Sequence, residues 1–170
     1  MLIRELTEDA CLEALASTNL GRLACVQGTQ PYVVPIHFAY QDYWLYSFSM
    51  PGKKLDWMRV NPSVCLEADK LRREEWTTVV VLGSYEELFD TPAMRSERLL
   101  AHQLLQQRPM WWESAGASRA GGAPTGGASV FFRIRVEQVS GRYGTTDFNA
   151  EQALPKPDKR GWLNKILRRT

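Results

Sequence analysis

Apolar and polar positions change period several times along the chain, and each change marks an element. Cys11, Leu12, Leu15 and Ala16 recur at helical spacing behind Thr7, Glu8 and Asp9. This predicts an amphipathic helix over 7–18, capped by Thr7 and closed by Gly21. Segments 22–26, 32–40 and 43–48 are then rich in β-branched and aromatic residues. Gly28-Thr29-Gln30-Pro31 and Gln41-Asp42 separate them as turns, which gives three strands of an antiparallel meander. Leu55 and Met58 mark a second helix that Asn61-Pro62 ends. Strands over 63–69 and 76–88 follow across a charged turn, with Gly83 predicted as a bulge or a point of close approach. Asp90 as cap and Pro92 open a third helix with Leu99, Leu100, Leu104 and Leu105 as its apolar face. Val130, Phe132, Ile134 and Val136 alternate with Phe131, Arg133 and Arg135, a last strand over 129–139 half-exposed to solvent or ligand.

The order is mainly β: six or seven antiparallel strands with two or three flanking helices. A sheet of that size must remove its edges, and a small barrel does so economically. The 170 residues suit one domain over 1–143, with a glycine-rich loop at 114–128. Residues 144–170 then form a basic tail, in which Trp162, Leu163, Ile166 and Leu167 make one face of a short helix behind Pro155 and Pro157.

Charge refines this picture. The net charge is +2, but residues 156–170 carry six basic side chains against Asp158. The remainder is therefore acidic, which argues against a nucleic-acid-binding domain. No apolar run is long enough for a membrane helix, and MLIRELTEDA lacks the apolar segment of a secretory signal. Cys11, Cys25 and Cys65 are odd in number and widely spaced, and read as reduced thiols of a cytoplasmic protein. Structural zinc and a Ser-His-Asp triad are disfavoured with only two histidines. His102, the Trp111-Trp112 pair and Glu86-Glu87 read most simply as surface or packing residues, the glutamates as the solvated end of a strand.

The informative stretch runs from Val33 to Pro62. A strand enters through Val33-Val34-Pro35-Ile36-His37 and returns as Leu45-Tyr46-Ser47-Phe48-Ser49. The chain then presents Lys53-Lys54 at a helix start. Two ammonium groups, backbone N–H donors and the hydroxyls of Ser47 and Ser49 suit a phosphate dianion. On composition alone such a lysine pair is more commonly solvated surface.

The strings PYVVPIHFAY, WLYSFS, GKKLDWMRVNPSVCLEAD and WTTVVVLGSYEEL resemble the pyridoxamine 5′-phosphate oxidase-like, FMN-binding split-barrel superfamily, within it the nitroimidazole-resistance (nitroimidazole reductase-like) branch. The resemblance covers about 3–108 and 129–143. It implies a homodimer of split barrels with FMN at each subunit interface. Lys53 and Lys54 would hold the phosphate with Ser47 assisting, and Val34, Pro35, Ile36 and His37 would run beside the isoalloxazine. Trp76, Thr77 and Thr78 would approach from the partner subunit. It further implies a flavin-dependent oxidoreductase acting on a small molecule with NAD(P)H as donor; the alternative is a non-catalytic flavin- or haem-binding barrel. The branch often has His where this chain has Lys53, and Arg-Ser where it has Thr77 and Thr78, so nitroimidazole specificity does not follow. No recognisable C-terminal motif carries substrate-binding arginines, which disfavours pyridoxamine phosphate oxidation.

Overall fold

The computed structural model describes residues 2–72, 74–107 and 129–146. The predictions for the loop at 114–128, for Trp111-Trp112 and for the helix of the basic tail lie outside them. The described chain runs β1 (Leu2–Glu5), α1 (Glu8–Ala16), β2 (Leu20–Gln27), β3 (Gln30–His37), β4 (Ala39–Gln41), β5 (Trp44–Ser49), α2 (Lys53–Val60), β6 (Ser63–Leu71), β7 (Glu75–Glu87), a 3-10 turn at Pro92–Met94, α3 (Arg95–Gln106) and β8 (Val130–Thr145).

All strand pairs are antiparallel, in the order β3-β2-β6-β7-β8-β5-β4, with β1 added on β8. The two end strands of that order, β3 and β4, are consecutive in sequence and separated only by Phe38. The sheet must therefore curl until its ends meet, which makes a barrel split at that point. Phe38 is fully buried there, and its N–H donates to the Asn19 carbonyl at 3.0 Å. Strand β8 is long enough to serve two neighbours on one edge: Val130–Arg135 pair with β5, and Arg142–Thr145 pair with β1.

Leu23, Cys25, Leu66, Val79, Val81, Phe132 and Ile134 fill the barrel, and α1 and α2 add Leu15, Leu55 and Met58. Thr7 caps α1 as expected, its hydroxyl accepting from the Ala10 N–H. Gly83 is also the expected bulge: register shifts between Leu82 and Gly83, so that Gln138 and Val136 are their successive partners. Asp42 and Tyr43 both take positive φ, 50° and 64°, in the tight reversal between β4 and β5.

Several expectations are corrected. The strand β1 was not foreseen, and β8 continues past Val139 to Thr145. Gly21 does not close α1. It is buried inside β2, where a Cβ would meet the Glu67 carbonyl oxygen at 2.9 Å, and Ser17 is the C-cap. Asp90 caps nothing; Thr91 precedes the 3-10 turn and Asp90 pairs with Arg98 at 3.9 Å. Leu99 points outward at 58% exposure, whereas the expected Leu105 is buried beside Ala101, and Leu100 and Leu104 pack against a smaller core. The second face of β8 is half-exposed as expected, with Arg135 and Glu137 open to solvent, but Phe131 on that face packs with Trp44, Tyr46, Leu88 and α3 in this second core. Glu86 and Glu87 are not merely solvated. Each takes a two-pronged hydrogen bond, from Arg133 at 2.8 and 3.1 Å and from Arg59 at 2.7 and 2.9 Å respectively.

Candidate functional site

Helix α2 begins where β5 leaves the barrel, after the bend at Pro51-Gly52. Gly52 is its N-cap, and its carbonyl accepts from the N–H groups of Leu55 and Asp56 at 2.9 and 3.2 Å. The N–H groups ahead of these have no intrahelical acceptor and face outward at the positive end of the helix. Leu55 and Met58 anchor the opposite face in the core, which fixes Lys53 and Lys54 at that end.

The two lysines are not equivalent. Lys53 is exposed, with Nζ 4.6 Å from the Trp57 ring centroid and 4.7 Å from that of Tyr32. Lys54 is half-buried, and that desolvation holds its pKa below the usual 10.5. Beneath them Cys25 is buried; burial raises its pKa, and the charges of Lys53 and Lys54 oppose the rise. Arg22, Arg59, Arg98, Arg133 and Arg135 each have a carboxylate partner. Among the described residues neither Lys53 nor Lys54 has one. Uncompensated positive charge at a helix N-terminus is chemistry for an anion.

The remaining sequence-predicted residues fall into two groups. Val34 and Ile36 turn toward the core with Leu23, whereas Pro35 is exposed on the outer face and His37 is buried. Among the described residues strand β3 is bonded on one side only, to β2, which leaves the backbone groups of its other edge without a strand partner. Ser47 and Ser49 are buried, and both hydroxyl hydrogens are committed to main-chain carbonyls, to His37 at 2.6 Å and to Met50 at 2.8 Å. Neither touches the lysines in this arrangement. Either serine would donate to a phosphate only after turning its hydroxyl.

Trp76, Thr77 and Thr78 lie elsewhere in the same chain. Ala24, next to Cys25, is level with Cys65, but Thr78 is level with Asp69, four residues further along β6. At about 3.3 Å per residue that is ~13 Å away. Trp76 lies over Gly144, and Thr78 donates to Glu67 at 3.0 Å. Thr78 also borders an open groove of about 500 Å³ on the outer face, with Leu6, Val80, Val139 and Arg142. One chain therefore gathers the lysine group but not the β7 group. Sequence reasoning missed Tyr32 and Trp57. The four-residue spacing of Lys53 and Trp57 was a readable signal, but Tyr32 comes from another strand.

The pyridoxamine 5′-phosphate oxidase family model matches residues 7–143. The chain belongs to this family. It is 40% identical over 144 residues to the uncharacterized protein RA0666 of Rhizobium meliloti (strain 1021), covering 84% of this chain and 95% of that one. The crystal structure of an FAD-binding protein from Mesorhizobium loti is similar at 43% identity and a TM-score of 0.71, covering 85% of this chain and 98% of that one. A Bacteroides thetaiotaomicron protein provisionally assigned to 5-nitroimidazole antibiotic resistance shares the fold at 17% identity and a TM-score of 0.61, over 84% of this chain and 89% of that one. The split-barrel architecture expected from the sequence is thus the family's. No helix among the described residues is long and apolar enough to cross a membrane.

Proposed function

We propose that the protein is a cytoplasmic, homodimeric flavoprotein in which Lys53 and Lys54 bind a flavin nucleotide through its phosphate. The observation that carries this reading is the pair of lysines without a carboxylate partner at the start of α2, beside the one-sided strand β3. The FAD-binding relative from Mesorhizobium loti supports a flavin over other anions. FMN meets the site with a terminal phosphate dianion, whereas FAD brings a pyrophosphate and a further nucleoside; FMN is the ligand proposed. Val34, Pro35, Ile36 and His37 border the ring through the free edge of β3, and the partner's copy of β7 supplies Trp76, Thr77 and Thr78.

A bound flavin supplies hydride and electron transfer itself. The chain's part is to anchor the phosphate, to offer main-chain groups to the ring edge and to exclude water with the buried residues of β5 and the buried end of β3 at Ile36 and His37. On this reading the protein reduces or oxidises a small molecule at the expense of NAD(P)H.

The test begins with the near-ultraviolet and blue absorbance of the purified protein, followed by titration with FMN and FAD. Lys53→Ala with Lys54→Ala should weaken FMN binding by about 2–4 kcal/mol, the cost of two charge-assisted contacts. An unchanged titration would overturn the site. Bleaching of the bound flavin by NADH or NADPH without oxygen supports an oxidoreductase, and its absence overturns that part.

A further inference from the structure

We infer that Tyr32 and Trp57 are positioning residues whose rings hold the Lys53 ammonium ready for a phosphate, and so set a preference for phosphorylated flavin over riboflavin. The inference rests on the reading of Lys53 and Lys54 as the phosphate site. Trp57 is one helical turn beyond Lys53, and Tyr32 reaches across from β3 opposite Cys25. Their rings meet edge to face, with centroids 5.5 Å apart and planes at 61°. Both pack against the main core, so their places do not depend on the lysine. The ammonium sits at almost equal distance from the two, 4.6 and 4.7 Å.

A carboxylate could fix a lysine equally well, and the chain uses that device for Arg22, Arg59, Arg98, Arg133 and Arg135. It would also cancel the charge. A ring attracts a cation through its quadrupole and leaves the full charge and the N–H donors available. An unrestrained lysine would have to order its long stem when the anion arrives, and here that ordering is already done. The rival explanation is that the rings merely cover the lysine's methylene stem. It makes a different prediction, because a methionine in place of Lys53 keeps much of the stem and loses the charge.

The experiment measures FMN and riboflavin affinity in the full-length protein, in Trp57→Leu, Trp57→Phe and Tyr32→Leu, and repeats Trp57→Leu in a Lys53→Met background. Trp57→Leu is expected to weaken FMN about tenfold and riboflavin no more than about twofold. Trp57→Phe should restore most of the loss, and in the Lys53→Met background Trp57→Leu should cost nothing further. Tyr32→Leu, on a different element, should repeat the pattern and carries the test if Trp57→Leu does not fold. Equal weakening of FMN and riboflavin, or the same loss with and without Lys53, overturns the inference. If instead Lys53→Ala with Lys54→Ala leaves FMN binding intact, the phosphate site itself is wrong, which is a separate result.

Discussion

Gly83 and Gly52 show how differently one residue type is constrained. A Cβ at Gly83 would lie 2.2 Å from the Arg135 carbonyl oxygen, a backbone atom of the neighbouring strand. Neither side can yield without opening the bulge, so Gly83→Ala should cost about 2–4 kcal/mol. At Gly52 the same methyl meets nothing within 4 Å. Gly52→Ala should therefore cost only the ordinary loss of a glycine N-cap, about 0.5–1 kcal/mol. Urea unfolding of the two variants checks the contrast. A second residue-scale outcome concerns Lys54. Burial lowers its pKa below 10.5, so the unliganded fold carries fewer protons than the unfolded chain between that lowered value and 10.5, and its stability rises across this window. A bound phosphate favours the charged form. Flavin affinity should then fall as pH climbs through the lowered pKa, earlier than an ordinary lysine would dictate. Lys54→Arg, which stays charged, should flatten that fall in FMN titrations run from neutral pH upward.

At the scale of elements, α2 is held at both ends. Leu55 and Met58 seat it in the core, and Arg59 grips Glu87 on β7, which also accepts from the Tyr85 hydroxyl at 2.9 Å. The Arg59 hydrogen bonds hold the Glu87 pKa below its usual 4.5. A carboxylate with a depressed pKa contributes stability that is full above 4.5 and is lost as pH falls through the folded-state value. Glu87→Gln should therefore be less stable than wild type at neutral pH, with the gap closing in acid, as thermal unfolding at several pH values would read. Most elements were legible because alternation and helical spacing are local signals: β2, β3, β5, β6 and β7 follow theirs. The segment Leu2–Glu5 has only two apolar residues and becomes a strand because the far end of β8 lies beside it. The end of β8 is rich in glycine and polar residues, and β1 and β7 on its two sides keep it extended. The pairing of Arg59 with Glu87 spans 28 residues and that of Arg133 with Glu86 spans 47, so neither was visible from spacing. The lysine pair was legible from the chain. Its aromatic clamp was only half so, since Tyr32 joins it through the fold.

In the whole molecule the lysine group and the β7 residues of one chain stand apart. The outer face of the barrel carries a cross-strand row: Val33 opposes Ala24, Ala24 opposes Cys65, and Cys65 opposes Leu82. Val33 is 57% and Leu82 47% exposed, an apolar row on a face that otherwise carries Arg22 with Glu67 and Asp69. Thr78 and its groove open on the same face. A second copy laid across this face would bury the row and bring its Trp76, Thr77 and Thr78 toward the lysine end, which the chain's own copies do not reach. Leu82→Glu places a charge in the middle of the row without touching α2 or the core. It should yield a monomer by light scattering, keep its far-ultraviolet circular dichroism and thermal unfolding, and lose most of its FMN affinity although both lysines remain. A monomer that binds FMN as wild type does would mean that one chain completes the site. A dimer that survives the charge would mean that copies meet on another face, and the β7 residues would then need a different role.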